Sequence, residues 1–162
     1  ADNQNRAKKV KPTKQEQDFT QTYQGHETFM PYVLNRTTGA VNADFQVLLR
    51  EHGMTLLHWR VLAFLRETDG LGISALANAA GVDQTTLSRA LTVMEKAGYV
   101  RREPSATDQR VLEIHLLSAG EQQFHKVLPP AWAIYERSVK GLTIEEQHEF
   151  QRLLKKIWGN FA

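Results

Sequence analysis

The chain has 162 residues, a length that suits one domain or one domain with an added oligomerisation layer. Apolar residues make up 41% and charged residues 23%, the balance of a chain that buries a core rather than a disordered one. The net charge of +2 is too small to mark an anionic partner by itself, and the lack of cysteine excludes thiol redox sensing, disulfide staples and cysteine-held metal.

Residues 1–27 read as a flexible basic arm, because the first 17 are polar and cannot build a core. Lys8, Lys9, Lys11 and Lys14 are either solvated or set to touch nucleic-acid phosphates. No apolar h-region and no run of the roughly 18 residues needed for a membrane span is visible, so a cytoplasmic location without membrane contact is expected. Residues 28–162 are expected to form a single domain: helices at 28–52 and 118–162 flank a middle module at 55–117.

The helix expected at 28–52 carries two apolar stripes, one through Leu34, Val41, Phe45 and Leu48, the other through Phe29, Val33, Ala40, Ala43 and Val47. Thr55 is suited to cap the next helix, Leu56 to Glu67, with Trp59, Leu62 and Leu65 inward. Asp69 to Gly72 reads as a turn, Ser74 as the cap of a short helix to Ala80, and Asp83 as the cap of Gln84 to Ala97. In that last helix Leu87, Leu91 and Met94 form one apolar stripe. Tyr99–Arg102 and Val111–Leu116 read as a hairpin with Leu112, Ile114 and Leu116 on one face. Pro129-Pro130 is expected to kink or break the following helix, and Thr143 with Glu146 forms a capping box for the last one.

Short helix, turn, second helix and charged hairpin together suggest a winged helix-turn-helix in a mainly α fold with a small β-wing. Off the apolar stripe of the second helix lie Gln84, Thr85, Thr86, Ser88 and Arg89, side chains able to bond base edges or phosphates, whereas on an isolated helix they would meet only water. Arg110 at the hairpin tip is suited to a minor groove, with Asp108 placed to orient it, and Arg101 and Arg102 are candidates for phosphate contact. The apolar end helices call for a second copy, so a homodimer on a palindromic double-stranded site is expected.

In that order and spacing the chain resembles the MarR family of multiple-antibiotic-resistance-type transcriptional regulators. The resemblance rests on Gly53-Met54-Thr55 with Trp59 to Leu62, on Ile73 to Val82, on Gln84 to Arg102, on Asp108-Gln109-Arg110, and on Leu116 to Gly120. It implies a winged-helix dimer, usually a repressor, often released from DNA by a small aromatic or acidic ligand. The branch of the family that senses oxidants through cysteine is excluded.

Arg36 interrupts an apolar stripe and is the candidate to hold such an anionic effector, an aromatic acid or its CoA thioester; the competing reading is an ion pair or a side chain reaching water. His58, Trp59 and Arg60 are candidates to line the same crevice, with Trp59 equally suited to the core. No metal-ligand spacing, nucleophile elbow, Walker loop or dinucleotide fingerprint occurs, so no enzyme activity, cofactor or metal is expected. The alternative function, a winged-helix protein-interaction module without DNA binding, requires an apolar or buried outer face on the second helix.

Overall fold

A computed structural model describes residues 22–161, which leaves the lysines of the basic arm outside the described residues. The chain divides into two units after Ala40. In the first, His26–Thr28 closes a 3-10 turn and helix α1 (Met30–Glu51) begins two residues later than the stripe suggested. The turn uses the residues expected to start the helix: the Thr28 hydroxyl donates to Gly25 O at 3.1 Å and the Phe29 amide to His26 O. Pro31 then stands second in α1, where a missing N–H costs no helical bond.

The second unit contains the rest of α1, α2 (Leu56–Glu67), β1 (Leu71–Gly72), α3 (Ile73–Ala80), α4 (Gln84–Lys96), β2 (Val100–Pro104), β3 (Leu112–Leu116), α5 (Ser118–Ser138) and α6 (Ile144–Trp158). It is mainly α with a small antiparallel sheet in the order β1-β3-β2. Its core joins Leu49 of α1, Val61, Leu62 and Leu65 of α2, Leu76 of α3, the Leu87–Leu91–Met94 stripe of α4, Val100 and Ile114 of the sheet and Val127 of α5, all fully buried. Burying such side chains stabilises by about 1.5–3 kcal/mol each.

Three caps form as their residue types dictate. The Thr55 hydroxyl accepts from the His58 amide while His58 Nδ1 accepts from the Thr55 amide; Asp83 accepts from the Thr86 amide; Thr143 and Glu146 exchange both bonds of a capping box. Ser74 is not a cap. Helix α3 starts at Ile73 behind Gly72, and the Ser74 hydroxyl instead accepts from Gln84 Nε2 at 2.8 Å.

The sheet differs from expectation at its edges. Only Asp69 and Gly70 serve as the turn; Leu71 and Gly72 pair with Ile114 and Glu113 as β1. Asp69 fixes this edge by accepting from the Leu116 amide at 2.7 Å and bonding His115 Nδ1 at 3.0 Å. Burial opposes ionisation of Asp69, but those partners outweigh it and hold the carboxyl below its ordinary pKa. Pro104 belongs to β2, at its end where its ring is tolerated. Leu112 is exposed although it shares a face with buried Ile114, because the wing reaches past the helices that cover the sheet.

Pro129-Pro130 does not break α5, which runs unbroken from Ser118 to Ser138. The amides they lack would have served the carbonyls of His125 and Lys126, and both of those residues are exposed, so the loss of the two bonds does not bury a bare carbonyl. Nearer its start, Gly120 passes so close to Tyr99 that a Cβ would stand 2.3 Å from the Tyr99 carbonyl oxygen. That carbonyl accepts from the Leu117 amide at 2.9 Å, which joins α5 to the end of the preceding module.

Candidate nucleic-acid interface and apolar groove

Helix α4 turns its apolar stripe inward, which leaves its polar residues facing out. Thr85 and Arg89 are exposed, and the Arg89 guanidinium has no hydrogen bond or ion pair among the described residues. Gln84 is exposed but tied to Ser74, so it braces α4 against α3. The Thr86 hydroxyl donates to Asp83 Oδ2 at 2.7 Å, and the same hydroxyl and the Thr86 amide hold the Asp83 carboxyl below its usual pKa. Thr86 therefore supports the helix start. Ser88 is half-buried. Apart from exposed Val93, this outer face is polar, not the apolar or buried face that the protein-interaction alternative required.

The wing tip is closed by its own short polar side chains. Buried Ser105 bonds the Thr107 hydroxyl at 3.0 Å, and its amide donates to Val111 O. Asp108 Oδ1 accepts from the backbone amide of Arg110 at 3.0 Å, so Asp108 shapes the turn rather than gripping the arginine head. The Arg110 side chain projects into solvent without a partner among the described residues. Arg101 lies along the wing and pairs with Glu103 at 3.1 Å, an exposed ion pair of small worth.

Arg102 is engaged in the opposite sense. Alternation along β2 turns it toward α4, where Nη1 meets Glu95 Oε2 at 2.7 Å and Nη2 donates to Ser88 O at 2.8 Å. The strand period separates Arg101 from Arg102 onto two faces, a signal in the sequence that reading both as phosphate contacts passes over.

The residues proposed for a ligand divide in the same way. His58 is buried and spends Nδ1 on the Thr55 cap; burial holds its pKa below the ordinary imidazole value. Arg60 Nη1 donates to Ala80 O at 3.1 Å, capping the C-terminal end of α3. Trp59 meets Phe45 edge-on at 5.5 Å, stacks on Phe124 at 4.4 Å and lines a groove of about 340 Å³ with Val41, Leu128, Ala131, Trp132 and Tyr135. The lining is apolar and aromatic apart from Ser138 and contains no charged side chain. Arg36, in the first unit, is exposed, with no ion-pair partner among the described residues.

Comparison with known proteins agrees with this architecture. A family model described as MarR family matches residues 52–111, from just past the end of α1 to the wing tip. A MarR-family transcriptional regulator from Silicibacter pomeroyi is 35% identical in its crystal structure and superposes with a TM-score of 0.78 over 85% of this chain and 93% of that one. The HTH-type transcriptional repressor IacR of Pseudomonas putida is 28% identical over 134 residues, covering 83% of this chain and 80% of the relative. CouR from Rhodococcus jostii, crystallised with p-coumaroyl-CoA, shares the fold at 20% identity, with a TM-score of 0.76 over 83% of this chain and 94% of that one. The first two of these relatives are named as transcriptional regulators and not as enzymes. With its winged module, polar outer helix face and wing arginine, the chain belongs to the MarR family of DNA-binding transcriptional regulators.

Proposed function

We propose that the chain is a homodimeric repressor, acting in the cytoplasm, that reads a palindromic operator and releases it on binding a small aromatic effector. The observation that carries the DNA reading is that Arg89 on α4 and Arg110 on the wing tip are exposed cations without a partner among the described residues, while Gln84, Thr86 and Asp108 beside them are bonded internally. Arg89 with Thr85 is suited to base edges and phosphates in a major groove, and Arg110 to the negative potential of a narrow minor groove. Gln84, Thr86, Ser88 and Asp108 support those elements from within, and Arg101 is left a rim contact.

Dimerisation is supported by apolar side chains that the single chain leaves in water. Trp158 is 73% and Phe161 86% exposed at the end of α6, with Ile144 and Phe150 also exposed. A second copy related by a two-fold axis would cover them and would set two recognition helices about one helical turn of DNA apart.

The groove beside Trp59 supports an aromatic effector. Its walls offer ring faces for stacking and no cation, so an aromatic acid would be held by its ring there. Arg36, in the first unit, is a separate candidate to bind an anion. The fold accepts such ligands, as p-coumaroyl-CoA in CouR illustrates.

The test is selection of bound duplexes from a random pool at near-physiological salt. A palindrome with half-sites about 10 bp apart supports the dimeric regulator. Weak, motif-free binding refutes it. With the operator in hand, aromatic acids are screened for release of DNA and quenching of Trp59 emission, in the parent and in Arg36→Ala.

A further inference from the structure

We infer that Arg102 is a positioning residue for DNA reading: with Glu95 it clamps the wing to the recognition helix and makes no phosphate contact. The inference rests on the proposed reading surface of α4 and the wing.

Four bonds make the clamp. The Arg102 amide donates to Glu95 Oε1 at 3.1 Å, and Nη1 pairs with Glu95 Oε2 at 2.7 Å. Nη2 donates to Ser88 O at 2.8 Å and to the Thr92 hydroxyl at 3.3 Å. Ser88, Thr92 and Glu95 stand at i, i+4 and i+7, so one side chain of β2 grips two turns of α4 along a stripe next to the buried one. The guanidinium is mostly covered, with 22% of the side chain exposed, and its Nε is buried without an acceptor. A group set to meet phosphate is free and outward, as Arg89 and Arg110 are. Arg102 is neutralised and inward.

Beyond the short strand β1, which pairs only with Glu113 and Ile114, the wing is a two-stranded hairpin, marginal by itself. Gripped by Arg102, the wing is held to the turn of α4 that carries Arg89, the residue after Ser88. The separation of Arg89 from Arg110 is thereby set before DNA arrives, which spares the ordering cost on binding.

The experiment measures affinity for the selected operator and for a random duplex of equal length across a salt series. The variants are Arg102→Met, Arg102→Lys, Glu95→Gln and Arg110→Ala, each checked by thermal melting. A clamp predicts that Arg102→Met weakens operator binding about tenfold, with the slope of log K against log salt and the random-duplex affinity unchanged. Lysine does not rescue, because a point charge lacks the fork that reaches both Ser88 O and Glu95. Glu95→Gln also weakens operator binding, although removing a negative charge near DNA should tighten it.

A slope lower by about one with both duplexes weakened equally, rescue by lysine, or tighter binding by Glu95→Gln each overturns the clamp. Arg110→Ala separates the layers. If it weakens operator binding while the Arg102 variants act as phosphate contacts, only the clamp fails; if it changes nothing, the reading surface fails and the clamp falls with it.

Discussion

Replacing Gly120 with alanine tests the closest approach in the fold. The new methyl would stand 2.3 Å from the Tyr99 carbonyl oxygen, 3.0 Å from the Tyr99 carbonyl carbon and 2.9 Å from Leu116 Cδ1. The leucine can turn aside. The carbonyl is held, since it accepts the Leu117 amide at 2.9 Å one residue before β2 begins. A relaxed carbon–oxygen contact is about 3.3 Å, so roughly an ångström of movement must come from backbone.

Such overpacking costs about 1–3 kcal/mol, and straining or losing the Leu117 bond adds about 1 kcal/mol. Alanine recovers less than its full helical advantage of about 1 kcal/mol, because position 120 lies in the first turn. The net loss is about 1–3 kcal/mol, a fall in melting temperature on the order of 2–12 °C for a chain of this size. Circular-dichroism melts at one fixed protein concentration measure it, so that any change in association does not enter. A midpoint equal to the parent's or above it refutes the reasoning.

Arg110→Ala should weaken operator binding by about 10- to 100-fold, with the association state unchanged by sedimentation. Arg60→Met should remove the cap on Ala80 O and destabilise by about 1 kcal/mol in urea melts, without altering effector affinity; a large loss of effector response would return Arg60 to the ligand site. The lowered His58 pKa means that the unfolded chain binds this proton more tightly than the folded one. Stability from this group is therefore complete above about pH 6.5 and is lost as pH falls through that value toward the folded pKa. His58→Gln should reduce the stability difference between about pH 7.5 and about pH 5.5; an unchanged difference places the pH dependence elsewhere.

What sequence reveals here follows the range of each interaction. Caps at Thr55, Asp83 and Thr143 need only partners three residues away, and the Leu87–Leu91–Met94 stripe needs only helical period, so both are readable. Strand β1 is two residues long, too short for any period, and exists because β3 offers it a partner. Ser74 had the chemistry of a cap but found Gln84 ten residues on. Arg60 and His58 looked available for a ligand because their real partners, Ala80 O and a cap folded back on itself, are set by helix packing. The groove was legible only through Trp59; Trp132 and Tyr135 arrive from more than 70 residues away. Nothing in the spacing of Arg102 and Glu95 says how deep the pair will lie.

The proline pair in α5 has a mechanical consequence. Two missing rungs at His125 and Lys126 divide the helix into halves with different duties. The first half is anchored in the core by Phe124 and Val127, while the second presents Trp132 and Tyr135 to the groove. With its ladder interrupted between them, the helix has a compliant joint where most helices are stiffest. A bend there would move Trp132 and Tyr135 relative to Leu128, which lines the same groove from the anchored half. Amide hydrogen exchange along α5 should accordingly fall into two protection levels that meet at the prolines, with the anchored half the slower.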